Sequence, residues 1–339
     1  MSALPKTSRE WHLVARPHGW PTKDLVALRE VPVTEPADGH ILVRNSHFSV
    51  DPYMRGRMSD AKSYAAPYEL NQPMHGGAVG EVIASDVAGF AVGDIVAHQL
   101  GWREIAEVPA REARKIDTSL APASAYLGVL GMTGLTAYAG LLEVAGIKEG
   151  DTVFVSGAAG AVGGYVGQIA RIKGASRVIG SAGSDAKVER LVKGYGFDAA
   201  FNYKDGPVAQ QLAEAAPDGI DVYFDNVGGE HLEAAIGAFK TKGRAALCGA
   251  ISMYNATEPA PGPNNLYLAV TKQLRLEGFL VTDYFGLLRQ YITEAAGWLA
   301  SGELVYDETV VEGIENGFDA FLGVLRGENT GKMIVALPA

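Results

Sequence analysis

The sequence predicts an α/β protein in which a doubly wound parallel sheet accompanies a β-rich region. Three observations predict it. A strand–glycine turn–helix–strand unit occupies 151–184, strand and helix patterns alternate from there to about 280, and short strand patterns with few helices fill the chain before about 125.

Taken in order, the β-rich region offers candidate strands at 10–13, 25–31, 39–49, 77–84, 94–99 and 102–108, separated by turn signals such as Ala37-Asp38-Gly39 and Gly93-Asp94. Asp51-Pro52-Tyr53-Met54-Arg55 breaks the pattern: Asp51 suits the cap of a helical turn with Pro52 at its first position. Tyr64 lies in a polar loop, 60–67. On their own, Tyr53 and Tyr64 read as amphipathic surface or rim residues. Residues 131–145 form a helix pattern that is apolar nearly all round, which suits a buried connection into the next domain.

The central unit follows. Thr152 to Val155 is a short, β-branched, apolar strand pattern, and Gly157 to Gly163 carries no side chain larger than valine. Val162, Val166, Ile169, Ala170 and Ile172 then share roughly one helical face, and the next strand starts at Arg177. Such a turn brings backbone N–H groups at a helix N-terminus against a pyrophosphate, and a β-carbon there would hold the phosphates away. The spacing is G-x-x-G-x-x-G, so the flanking strand and helix carry the dinucleotide reading.

Helix patterns at 187–193, 208–215 and 229–239 alternate with strand patterns at 199–202, 221–225, 243–248 and 274–281. The Pro- and Asn-rich stretch 254–265 has no periodicity and reads as a long functional loop. A helix is expected at 285–301, and late strands at 307–311 and 332–336 that return to the first domain.

Composition narrows the function. The 339 residues are enough for two domains, no apolar run approaches a membrane span, and the N-terminus lacks the apolar core of a signal peptide, so a cytoplasmic location is expected. A net charge of −10 disfavours nucleic acid and anionic membrane as partners. The single cysteine, Cys248, excludes an internal disulfide and a four-cysteine zinc site.

NAD-binding folds place a carboxylate at the end of the second strand to accept from the ribose 2′-hydroxyl. That position falls near Ser181-Ala182-Gly183-Ser184, with Lys187 following and Asp185 reading as a helix N-cap. Small and hydroxyl residues leave room for a 2′-phosphate, which a lysine neutralises as a point charge; the cofactor expected is NADP(H) rather than NAD.

Seven stretches carry a resemblance: 49–55 (SVDPYMR), 134–138 (GLTAY), 158–163 (AAGAVG), 201–204 (FNYK), 223–229 (YFDNVGG), 248–255 (CGAISMYN) and 328–332 (ENTGK). In this order they resemble the medium-chain dehydrogenase/reductase superfamily, in its zinc-independent branch of prostaglandin reductases, plant double-bond reductases and bacterial NADPH-dependent curcumin reductases. The resemblance implies a GroES-like substrate domain, 1–126 plus 306–339, with a Rossmann domain, 127–305, inserted into it. It implies NADPH reduction of a carbon–carbon double bond conjugated to a carbonyl. Gly160, Ala161, Val162 and Gly163 would then meet the pyrophosphate, and Ser184, Lys187 and Tyr203 the adenosine ribose and its 2′-phosphate. Asn226, Cys248, Gly249, Ala250, Ile251, Ser252, Tyr254, Phe279, Leu280, Val281 and Asn329 would line the rest. Tyr64 matches a tyrosine that contacts the substrate carbonyl in some relatives, and Tyr53 and Tyr254 would help shape the same pocket. The resemblance further implies a homodimer, by edge pairing of the strand near 275–281.

Two departures matter. Zinc-dependent relatives bind metal through a cysteine and a His–Glu pair, whereas the matching stretch here is Met74-His75-Gly76-Gly77-Ala78, and no metal site is expected. A tyrosine found in several relatives before Lys272-Gln273-Leu274-Arg275 is Thr271 here, which leaves Tyr64 and Tyr254 as the better hydroxyl donors. The expected function is enone or enal reduction. A quinone reductase or alcohol dehydrogenase of the same fold, or a non-enzymatic dinucleotide-binding protein, are the alternatives.

Overall fold

The computed structural model describes residues 4–338. Contacts divide the chain into two units. One holds the chain up to Leu127, Glu308–Asn329 and the segment from Met333 on; the other holds Gly128–Asp307 and Thr330–Lys332.

In the first unit, β1 (Thr7–Leu13) pairs antiparallel with β2 (Val26–Pro32). Next come β3 (His40–Ser49), the helical turn α1 (Met54–Arg57), β4 (Ala78–Ser85), β5 (Ile95–His98), β6 (Ile105–Pro109) and the short β7 (Arg114–Lys115). The second unit runs through helix α2 (Met132–Ala139), β8 (Thr152–Val155), α3 (Ala161–Ile172), β9 (Arg177–Ala182), α4 (Asp185–Gly194), β10 (Ala199–Asn202) and α5 (Val208–Ala215). It continues with β11 (Ile220–Asp225), α6 (Gly229–Ala238), β12 (Phe239–Leu247), α7 (Leu268–Thr271), β13 (Arg275–Gly278) and α8 (Leu288–Ser301). The chain then adds β14 (Glu308–Glu312) and α9 (Gly317–Leu325) to the first unit, and β15 (Lys332–Ala336) closes that unit's sheet.

The second unit's sheet is six-stranded and parallel, in the order β10-β9-β8-β11-β12-β13. This is the doubly wound Rossmann order, and its direction reverses between β8 and β11, where ligands bind beyond the strand ends. Its strands are near-continuous apolar runs because both faces are covered. Phe154 stacks on Tyr223 at 5.1 Å and on Phe201 at 5.9 Å, tying β8, β11 and β10 through one aromatic layer. The first unit is a GroES-like antiparallel sheet in the order β14-β15-β3-β4-β5-β7, with β6 also on β3.

In the second unit the strand pattern read at 274–281 ends at Gly278, and Val281 opens a 3₁₀ turn. In the first unit two features depart from the sequence reading. Helix α9 was not foreseen; it is apolar on nearly every side and buries Phe318 and Phe321 against Trp102 and Phe48. It lacks the polar face that gives a surface helix its period. Asp51 does not cap α1 with its side chain. Its carboxylate takes the Ser49 hydroxyl instead, and the turn starts with Met54 N–H donating to the Asp51 carbonyl at 3.2 Å.

Candidate cofactor and substrate sites

In the second unit, β8 feeds the glycine turn directly. Gly157 has φ 58°, a left-handed conformation that glycine adopts without strain. Gly160 is the N-cap of α3 in an extended conformation, with no side-chain cap, so the first-turn N–H groups of Ala161, Val162 and Gly163 suit an anion. A β-carbon on Gly163 would stand 2.6 Å from the Gly157 carbonyl oxygen and 2.7 Å from Ala158 Cα; this glycine lets the helix close on the turn. Ala158 N–H donates to the Ser181 carbonyl and Gly331 N–H to that of Ala159, both at 2.9 Å, fixing the turn from two sides. The arrangement fits a dinucleotide pyrophosphate.

Beside it, the end of β11 is organised by Asp225, a hub the sequence reading did not single out. Its Oδ1 accepts from Tyr223 Oη at 2.7 Å, Ser156 Oγ at 3.2 Å, Val227 N–H at 2.9 Å and Gly228 N–H at 2.8 Å. Asn226 is pinned to the same strand end, its N–H donating to Ser156 Oγ at 3.0 Å and its Nδ2 to the Ser156 carbonyl at 2.8 Å. The Gly157 turn packs against Asn226 and Val227. Cys248 and Gly249 N–H groups donate to the Asp225 carbonyl, and Ile251 and Ser252 N–H groups to the carbonyls of Asn226 and Val227. Tyr254 folds back so that its hydroxyl accepts from Ala250 N–H at 3.4 Å. Thus Gly160–Gly163, Asn226 and 248–254 gather at the β8/β11 switch point. Burial, with the Asp225 charge, pushes the Cys248 thiol up to about 12, so it is no nucleophile.

At the end of β9 the first residue of α4 corrects an expectation. Ser184, not Asp185, is the N-cap: its Oγ accepts from Lys187 N–H at 3.4 Å, while Asp185 accepts from Asn202 Nδ2 at 3.0 Å. Serine wins because its extended backbone, φ −164° and ψ 156°, is the cap conformation. Tyr203 is set by its N–H bond to the Ala182 carbonyl at 3.1 Å, and its hydroxyl lies beside Gly183. Lys204 Nζ stands 5.9 Å over the Tyr203 ring, and burial together with the Lys204 charge lowers the Lys187 ammonium. Two ammonium groups that repel each other around small residues suit a phosphate dianion. Lys204 joins Ser184, Lys187 and Tyr203 here; its adjacency to Tyr203 was the available signal.

The side chain of Phe279 points elsewhere. It stands edge-on to Phe224 at 6.1 Å and fills the space beside Gly140, so this ring is taken up by packing.

In the first unit, Tyr53 lies beside Gly76, and burial and the nearby Asp51 push its phenol well above its ordinary value. Tyr64 is 64% exposed. Asn329 also belongs to this unit. Arg57 Nη1 and Nη2 lie 3.3 Å and 2.9 Å from Nδ1 and Nε2 of His75.

Residues 9–116 match the family model described as the N-terminal domain of oxidoreductase, and 161–301 the one described as zinc-binding dehydrogenase. The chain is 49% identical over 335 residues, 98% of each chain, to a Bacillus subtilis (strain 168) protein named as an NADP-dependent oxidoreductase. It is 38% identical over 340 residues, 99% of this chain and 98% of the other, to the NADPH-dependent curcumin reductase of Escherichia coli (strain K12). The crystal structure of CurA from Vibrio vulnificus in complex with NADPH superposes with a TM-score of 0.92 at 42% identity, covering 98% of this chain and 99% of that one.

The zinc of the family description does not fit these residues. His75 has both ring nitrogens against a guanidinium, glycine follows it, and among the described residues no three His, Cys, Asp or Glu side chains are grouped to hold a metal ion. NADPH does fit, through the glycine turn, the Asp225-ordered loops and the Lys187–Lys204 pair. The chain is an NADPH-dependent oxidoreductase and belongs to the medium-chain dehydrogenase/reductase superfamily, in its branch of curcumin, prostaglandin and 2-alkenal reductases.

Proposed function

We propose that the chain reduces the carbon–carbon double bond of α,β-unsaturated ketones and aldehydes. The observation that carries this reading is the bonding of His75. Turned to Arg57, it cannot serve a Lewis-acid metal, so carbonyl reduction lacks its usual oxyanion stabiliser, whereas a conjugated alkene needs only hydrogen-bond donors at its oxygen. Relatives named for curcumin, prostaglandin and 2-alkenal reduction point the same way.

Bound NADPH supplies a hydride from the nicotinamide C4 to the alkene β-carbon. Tyr64, an exposed phenol, donates to the carbonyl oxygen as enolate charge develops there; one such donor is worth about 2.7–4 kcal/mol in studied oxyanion holes. A proton from a tyrosine or water then reaches the α-carbon, which balances the reaction. Tyr53 shapes the pocket, and Tyr254, tied to its own turn, is the second candidate donor. The first unit is the substrate domain and the second the NADPH domain. Ser184, Lys187 and Tyr203 take the adenosine 2′-phosphate end, Gly160–Gly163 the pyrophosphate, and Asn226, 248–254, 279–281 and Asn329 the remainder. Strand β13 lies at the sheet edge with exposed Val270 and Leu266 nearby, which supports a homodimer paired along that edge.

The test is an NADPH-consumption screen over enals, enones, dienones, quinones and simple ketones. Turnover of enones and enals with the saturated carbonyl as product is expected; turnover confined to quinones or saturated ketones would sink the reading.

A further inference from the structure

The loop that carries Tyr64 is fastened at its neck. Residues 59–67 leave at Met58 and return at Tyr68, both buried. Tyr68 N–H donates to the Arg57 carbonyl at 2.7 Å, closing the loop into an Ω-like shape. The Arg57 side chain covers the closure. Its Nε donates to the Ala66 carbonyl at 2.9 Å, and Cζ lies 4.4 Å over the Tyr68 ring. Arg16 bridges both ends, with Nη1 on the Met58 carbonyl at 3.0 Å and Nη2 on that of Tyr68 at 3.2 Å. Tyr68 Oη in turn donates to the His75 carbonyl at 2.7 Å.

Arg57 is held by His75. A guanidinium only donates, so a ring nitrogen of His75 must accept, and an imidazolium has none to offer. His75 is therefore neutral in this arrangement. Burial and the charges of Arg57 and Arg103 lower it to about 4, in keeping with that role.

We propose that His75 and Arg57 are positioning residues of the reductase: neutral His75 anchors the Arg57 fork, which holds the 59–67 loop so that Tyr64 is presented in one orientation. The idea rests on the reading of Tyr64 as the enolate donor. It gives the histidine that stands where zinc relatives carry a metal ligand a different task.

The experiment uses the full chain in four single variants and the double variant His75→Leu with Tyr64→Phe. His75→Leu removes the acceptor, His75→Gln keeps one, Arg57→Lys keeps charge without the fork, and Tyr64→Phe removes the donor. Hydrogen–deuterium exchange is followed across 59–67 with and without NADPH. Single-turnover hydride transfer is followed with a simple enone. His75→Leu and Arg57→Lys should speed exchange at 59–67 by about tenfold or more while the β8–β13 peptides stay unchanged. They should slow hydride transfer by about five- to fiftyfold with the NADPH Kd unchanged. His75→Gln should restore both. The double variant with Tyr64→Phe should lose no more than Tyr64→Phe alone, since His75 acts through that residue. Wild-type exchange of the loop in both His75→Leu and Arg57→Lys would overturn the clamp. Faster exchange with wild-type hydride transfer in His75→Leu, while Tyr64→Phe is slow, would overturn the positioning alone. Wild-type transfer in Tyr64→Phe would overturn the enolate-donor reading itself and the positioning with it.

Discussion

Tyr203 stands edge-on to His231, their ring centroids 5.3 Å apart and their planes at 76°. Tyr203 is 39% exposed where the adenosine end is expected, and His231 is 4% exposed beneath it. Burial lowers the imidazole against the opposing pull of Asp225 and Glu230, so it packs as a neutral ring. Its Nε2 has no hydrogen-bond partner among the described residues, consistent with a packing role. An aromatic pair of this kind contributes about 0.5–1.5 kcal/mol, which predicts that His231→Ala weakens NADPH binding by roughly two- to tenfold. His231→Phe should retain it. Titration of NADPH fluorescence reads the difference; equal affinity in His231→Ala and the wild type would remove this role.

Lys187 should set the preference for NADPH over NADH. Losing one charge-assisted bond to a phosphate costs about 1.5–3 kcal/mol, so Lys187→Ala should weaken NADPH by roughly ten- to a hundredfold and leave NADH nearly unchanged. The pH dependence follows from the lowered ammonium, whose first cause is burial and second the Lys204 charge. A bound 2′-phosphate favours the protonated form. Affinity is therefore full below the lowered pKa and falls as pH rises through it. In the free protein the sign is opposite: the unfolded chain holds this proton more tightly, so its contribution to stability rises with pH between the lowered value and 10.5. Calorimetric titration of NADPH across alkaline pH should show the decline, and Lys187→Arg should flatten it. A decline of equal size in Lys187→Ala would show that another group titrates.

The strands and the glycine turn were legible because their signals are local. Alternation and β-branching placed β3, β4 and β15 within a residue or two, and the turn needed only the order of small residues between two patterns. What escaped depends on partners distant in sequence. Nothing near Asp225 announces that Ser156, 69 positions earlier, donates to it, and nothing near His75 announces Arg57, 18 positions away. The N-cap of α4 was ambiguous because Ser184 and Asp185 both suit a cap, and only the backbone conformation decides. The 254–265 stretch read as a long functional loop has its far end tied to α6, where Asn265 Nδ2 donates to the Glu233 carbonyl at 2.9 Å.

Asp225 should matter for folding before it matters for binding. It is 2% exposed and satisfies two backbone N–H groups and two hydroxyls at the end of β11. Asp225→Ala leaves buried donors unpaired at about 1–3 kcal/mol each, a loss of at least about 3 kcal/mol. For a unit of this size that is a fall of roughly 6–12 °C in melting temperature. Asp225→Asn keeps one acceptor oxygen and should fall by less. A melting temperature for Asp225→Ala within about 2 °C of wild type would contradict the hub.

Gly160 and Gly163 should fail in different ways when replaced by alanine. At Gly163 the new β-carbon meets the Gly157 oxygen at 2.6 Å and Ala158 Cα at 2.7 Å, both backbone atoms that cannot turn aside. Helix α3 must then lift from the turn, and overpacking of this kind costs about 1–3 kcal/mol. Gly163→Ala should therefore lower the melting temperature without NADPH and weaken cofactor binding as a consequence. At Gly160 the nearest atom to a β-carbon is the Gly157 oxygen at 3.3 Å, and the backbone, φ −81° and ψ 176°, is open to any residue. Gly160→Ala should lower the melting temperature by less than Gly163→Ala, since its single close approach needs a shift of only a few tenths of an ångström. It should still bind NADPH at least roughly tenfold more weakly, because the methyl group intrudes where the pyrophosphate approaches the backbone. Thermal melting and NADPH titration on the two variants separate the packing glycine from the binding glycine. Matching losses in both measurements for both variants would show that the turn has a single role.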